Sequence, residues 1–197
     1  MASYRAVNGA LQALEDFLTS RMPDEFRNGP VNAHVELLGS RDIAEPLTGN
    51  VLGIYLHRIA IDPHGRSRFF PPQGREKKAP TGELPVNLHF LLLATGASAA
   101  IEADLLSWAM VEMANEGRLD ISHLAETDDA WGEREMVNIT PDEMSTETLM
   151  RIWDVFEADY TNSVPYVART IRLRLREPRP EGPEVRTRVF PTGEAER

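Results

Sequence analysis

The chain contains no cysteine. Disulfides, thiolate zinc sites, iron–sulfur clusters and cysteine nucleophiles are excluded together. Lysine is almost as scarce. Lys77 and Lys78 are the only two among 21 basic residues, so arginine carries nearly all the positive charge. No stretch approaches the roughly 18 apolar residues of a membrane span. The longest greasy run, Leu88 to Ala97, is interrupted by His89 and Thr95. The amino end lacks the charged region and apolar run of a secretory signal. Phosphate-cradling glycine loops, H-E-x-x-H, G-x-S-x-G and EF-hand patterns are missing, and no internal repeat occurs.

What remains suits one soluble domain, made inside the cell. A length of 197 residues with 42% hydrophobic content can bury a real core. The formal charge of −10, from 31 acidic residues against 21 basic, argues against a general nucleic-acid binder or a binder of anionic membranes. A local basic strip is still compatible with it.

Apolar spacing predicts the elements. Val7, Leu11, Leu14, Phe17 and Leu18 make one helical stripe over residues 3–21, which Pro23 ends. Val31 to Leu38 reads as a strand with Val31, Ala33, Val35 and Leu37 on one face, and Gly39 to Gly49 as a loop. Val51 to Ile61 and Val86 to Ala94 read as central strands, apolar on both faces. Between them, Asp62 to Glu83 carries four prolines and three glycines, a long loop of the kind that is often functional. Ser98 caps a helix to about Glu116, with Ile101, Leu105, Trp108, Ala109 and Met113 inward and Gly117 as its stop. Glu126 to Glu135, with five carboxylates, reads as a solvated loop or hairpin, and Met136 to Thr140 as a short strand. A further helix to about Tyr160 starts at Ser145 or, by its Thr140-Pro141 pattern, earlier. Tyr166 to Arg176 alternates, with Val167, Arg169, Ile171, Leu173 and Leu175 on one face and Ala168, Thr170, Arg172, Arg174 and Arg176 on the other. The expected fold class is α+β: a mixed sheet of four to six strands with three main helices over residues 1–176, then an extended proline-rich tail over 177–197.

Catalytic chemistry is hard to assemble from these residues. His57 and His89 lie in the two most apolar strands and approach each other if those strands pair. A metal site needs a third ligand, His34 or a carboxylate, and buried hydrogen-bonded histidines are the simpler reading. Glu126, Asp128 and Asp129 form a charge run without a pocket, which solvation explains as well as acid–base work does. Trp108 and Trp153 sit on apolar helix stripes and are core residues first. No catalytic, metal-binding or cofactor-binding residue is assigned.

Two features suit a binding surface. Arg66, Arg68, Phe69 and Phe70 place aromatics beside arginines inside the long loop, the residue types enriched at interface hot spots. Phenylalanines folded back onto the domain are the alternative. Arg172, Arg174 and Arg176 form a basic row that could meet an acidic partner or a neighbouring copy, or be solvated and paired with local carboxylates such as Glu177.

The order of segments carries a resemblance. Val51-Leu-Gly-Ile-Tyr-Leu-His-Arg-Ile59 precedes Leu84-Pro-Val-Asn-Leu-His-Phe-Leu-Leu92, then Ala103-Asp-Leu-Leu-Ser-Trp-Ala-Met110, then Ile152-Trp153 and Tyr160-x-x-Ser163-x-x-Tyr166. Over most of residues 5–176 this set resembles the cap, or tail-terminator, family of phage-tail-like contractile injection systems. Ser107-Trp108 stands where the family usually has a glycine, and the stretch from Asp120 to Val137 departs from the pattern. The resemblance implies a structural protein, not an enzyme, without cofactor. It implies a homohexameric ring that closes the end of the inner tube and sheath distal to the baseplate. The implied partners are further copies of itself, the inner tube protein and the sheath protein, with no nucleic acid and no membrane insertion. Synthesis and assembly would be cytoplasmic, in a particle that is retained or released. A non-catalytic adaptor recruiting cargo or an assembly factor is the alternative, and an enzyme ranks third.

Overall fold

The computed structural model describes residues 3–45, 47–63, 83–125, 131, 135–156 and 160–174. The expected tail lies outside these residues, as does most of the long loop.

Helix α1 (Ala6–Arg21) is followed by a single turn, α2 (Asp24–Arg27), and by strand β1 (Ala33–Leu38). A turn of helix, α3 (Ser40–Ala44), leads to β2 (Asn50–Ile61). Strand β3 (Glu83–Thr95) comes next, then α4 (Ala99–Asn115), β4 (Arg118–Leu119) and the single turn α5 (Ile121–Leu124). The described chain ends with β5 (Val137–Pro141), α6 (Thr146–Val155) and β6 (Ser163–Arg174). The strands form one six-stranded sheet in the order β1-β2-β3-β6-β5-β4. Only β1 and β2 run parallel, so the sheet is mixed and the fold is α+β, as expected. The parallel pair needs a crossover, which α3 supplies. The stretch expected to be a plain loop therefore contains a helical turn.

Each face of the sheet has its own cover. On one face α1 and α4 pack Ala13, Leu14, Phe17, Leu18, Leu105 and Ala109 against Leu52, Ile54, Phe90, Leu92 and Tyr166. Alanines at positions 6, 10 and 13 of α1 let the helix approach closely while Leu14, Phe17 and Leu18 reach deeper. Fully burying each such leucine or phenylalanine contributes about 1.5–3 kcal/mol. Phe90 and Tyr166 stack on neighbouring strands with centroids 5.9 Å apart. On the other face, α6 and α3 bury Trp153 and Ile43 against Leu38, Tyr55, Leu91 and Leu93. Trp153 Nε1 donates to Ser163 Oγ at 3.4 Å. The serine caps are as expected: Ser98 Oγ accepts from the Ile101 amide and Ser145 Oγ from the Thr148 amide, which settles the start of α6.

Three expectations need correction. The alternation of β6 is broken by a register shift in the β3–β6 ladder between Val86 and Leu88. Tyr166 and Ala168 lie on the same helix-covered face as Ile171 and Leu173, whereas Val167 lies opposite. An extra residue in a strand flips every later side chain. Arg169 thus shares the outer face with Arg172 and Arg174 instead of the buried face with Ile171. Strand β2 is covered on both sides only in its first half, for Arg58, Ile59 and Ile61 are exposed. Trp131, in the segment expected to be solvated, packs into the main core at 8% exposure.

Candidate surface for assembly

Among the described residues, helices α6 and α3 cover only part of the sheet face they share. The remainder of that face, toward the β4 edge and the far ends of β2, β3 and β6, carries polar side chains. Register identifies them. Arg118 lies opposite Asn138, Asn138 opposite Arg169, Pro85 opposite Arg172 and Glu83 opposite Arg174. Since Leu119 and Val137 belong to the core on the helix-covered side, Arg118 and Asn138 point the other way. Arg118, Arg169, Arg172 and Arg174 are all exposed.

A second polar group sits nearer the middle of the same face. A register shift between Leu56 and Arg58 brings Arg58 opposite His89. Arg58 Nη2 lies 3.2 Å from His89 Nε2, and His89 Nδ1 lies 2.6 Å from Asp142 Oδ2. A guanidinium only donates, so Nε2 of His89 accepts and Nδ1 carries the proton given to Asp142. Asp142 is held in place by its own amide, which donates to the Pro165 carbonyl at 2.9 Å. The His57 ring stands 6.2 Å from that of His89, so the two histidines do meet across the paired strands. Burial, the neighbouring His89 and Arg58 hold His57 down at about 4, although Asp142 pulls the other way. His57 Nε2 and Asn87 Oδ1 are buried and find no hydrogen-bond partner among the described residues. Among the described residues no group of three metal-ligating side chains is arranged to hold an ion. His34 is exposed on β1 beside Glu36, 3.5 Å away, with β2 between its strand and the β3 that carries His89.

A groove of about 520 Å³ opens on the helix-covered side between α2 and α4. Phe26 and Trp108 form part of its wall, edge to face at 6.2 Å, with Glu25 and Asp104 also lining it. Trp108 is thus only partly buried, on the border between core and groove.

Of the interface residues expected from sequence, Arg172 and Arg174 fall on the polar half-face. Arg66, Arg68, Phe69, Phe70 and Arg176 lie outside the described residues. Sequence reasoning missed Arg58, Arg118, Arg169 and Asp142. Arg118 carries a weak signal, standing before the apolar Leu119, but the others depend on strand register. Among the described residues no helix is long and apolar enough to cross a membrane.

Comparison with known proteins bears on this geometry. No curated protein sequence matches the chain. Among solved structures, the sheath/tube terminator of the extracellular contractile injection system PVC, in its extended state, is similar with a TM-score of 0.57 at 15% identity. That likeness covers 96% of this chain and 63% of the terminator. The tube-terminating cap of the anti-feeding prophage gives a TM-score of 0.53 at 12% identity, covering 93% of this chain and 60% of the cap. These likenesses establish a shared fold, and the chain spans less than two thirds of either protein. The Pvc16 N-terminal domain family matches residues 10–187. With nine-tenths of its length inside that match, the chain belongs to the Pvc16 N-terminal domain family, in keeping with the cap-family resemblance carried by the order of its sequence segments.

Proposed function

We propose that this chain is a structural cap of a contractile, phage-tail-like injection particle, forming a homohexameric ring on the baseplate-distal end of the inner tube and sheath. The family match over residues 10–187 carries this reading. The likeness in fold to a sheath/tube terminator and a tube-terminating cap supports it. The partners would be neighbouring copies, the inner tube protein and the sheath protein, without nucleic acid or membrane insertion. The chain would act without catalysis or cofactor, assembling in the cytoplasm into a particle that is retained or released.

A terminator has to bind the last ring beneath it while presenting no equivalent face for another. A domain whose two sheet faces differ is suited to that task. Among the described residues, one side of the sheet is covered by α1 and α4, and the opposite side is only partly covered and bears arginines. The test is deletion of the gene in its host, with particle lengths measured by electron microscopy. Missing, unstable or over-long particles, restored by the intact gene, support the cap. Particles of normal length and stability refute it, and the adaptor reading would replace it.

A further inference from the structure

Two surfaces on opposite sides of the domain match each other in chemistry. One is the arginine row. Arg118 and Arg169 flank Asn138 on successive strands, which sets their backbones about 10 Å apart. Among the described residues neither makes an ion pair. Arg172 and Arg174 continue the row along β6. Among the described residues, the carboxylates near this face are Glu83 opposite Arg174, Asp62 beside Pro85, Glu135 in a hollow with Asn138 and Arg172, and Asp142, held by His89. Arg172 and Arg174 have partners of their own, so Arg118 and Arg169 are the pair offered to a second copy.

The other surface is the groove between α2 and α4. Its aromatic wall of Phe26 and Trp108, with the exposed carboxylates of Glu25 and Asp104, is suited to a guanidinium. A carboxylate accepts its charge-assisted hydrogen bonds while the planar group stacks on an aromatic face. Among the described residues neither Glu25 nor Asp104 is in an ion pair. The groove opens beside α2, which borders β1, at one end of the strand order and on the helix-covered side. The arginines stand toward the β4 end on the other side.

We propose that the groove of one copy receives the arginine row of a second copy, so that each protomer gives one surface and receives with the other. Such a contact is heterologous, and repetition by a fixed rotation closes a ring. Charge makes the pairing specific. Chains of net charge −10 repel one another, and an arginine face meeting an acidic groove is what allows like copies to join in one orientation. The row spans about 10 Å across the three strands β6, β5 and β4 and about 16 Å along β6. At about 160 Å² it is smaller than the ~800 Å² per partner of a standard interface, so it sets register and orientation within a larger contact. This inference rests on the ring reading above.

The test uses two charge-swapped proteins, R118E/R169E and E25R/D104R, with native mass spectrometry reading the oligomer. Each swap places like charges against each other in a homo-oligomer, and self-association should weaken by ~100-fold or more. Mixed one to one, the acidic strand face of the first meets the basic groove of the second, and its acidic groove meets the second's basic face. Alternating oligomers should therefore return. An unfolded variant could not be rescued in this way, and the exposed single changes R169A and D104A repeat the test at lower amplitude. If wild-type oligomers survive both swaps, or the folded variants fail to combine, the groove–arginine pairing is overturned while the ring stands. If the wild type is monomeric alone and also in purified particles, the ring reading falls and the pairing with it.

Discussion

Replacing His57 by leucine isolates one source of acid sensitivity. The ring is held at about 4, against 6.5 for a free histidine, chiefly because burial penalises its charge. Between these values the unfolded chain binds a proton that the folded chain refuses, so stability rises with pH through that window. It is fully present above 6.5 and is lost as pH falls toward 4. At ~1.4 kcal/mol per pH unit the whole displacement corresponds to on the order of 3 kcal/mol, and solvent reaching part of the ring reduces this to about 2. His57→Leu removes the titration and also removes Nε2, which has no hydrogen-bond partner among the described residues, so its effect at pH 7.5 should lie within about 1 kcal/mol of neutral. Urea unfolding of both proteins at several pH values from ~7.5 to ~4.5 gives the comparison. The wild type should lose about 2 kcal/mol more than the leucine variant over that range, however much the carboxylates contribute to both. Parallel pH dependences would show that His57 is not the buried, proton-refusing group described here.

Other substitutions probe the packing and the polar cluster. Asp142→Ala should cost about 1–3 kcal/mol at neutral pH by chemical denaturation, because His89 Nδ1 loses its acceptor inside a largely buried site. Gly117→Ala would place a Cβ 2.8 Å from the Ile139 carbonyl oxygen, beside the hydrogen bond that the Ile139 amide donates to the Gly117 carbonyl, and should lower stability by about 1–3 kcal/mol in thermal unfolding. Phe90→Ala removes a fully buried ring stacked on Tyr166 and should cost about 3–5 kcal/mol, enough to leave a marginal protein largely unfolded.

Local patterns announced most of the scaffold. The helical spacing of Leu14, Phe17 and Leu18, the Ser98 and Ser145 caps and the long apolar run of β3 are all properties of neighbouring residues. The meeting of His57 and His89 could be anticipated because two apolar strands of that length tend to pair. The irregularities were not legible. The two register shifts are set by pairing between strands far apart in sequence, and one of them moves Arg169 to the opposite face from the one its alternation predicts. Asp142 reaches His89 only because β5 pairs with β6, which no local pattern encodes. Trp131 is hidden in a run of carboxylates whose composition speaks for solvent, yet its own side chain packs into the core. The arginine surface was therefore half visible, through Arg172 and Arg174, and completed only by the fold.

The central claim is a place on a particle, and location tests it most directly. An affinity-tagged copy that restores normal particles in the deletion host can be labelled with gold on purified particles and imaged by electron microscopy. The account predicts label at one end only, the end away from the baseplate. Label along the sheath, at the baseplate, or absent from intact particles would contradict it.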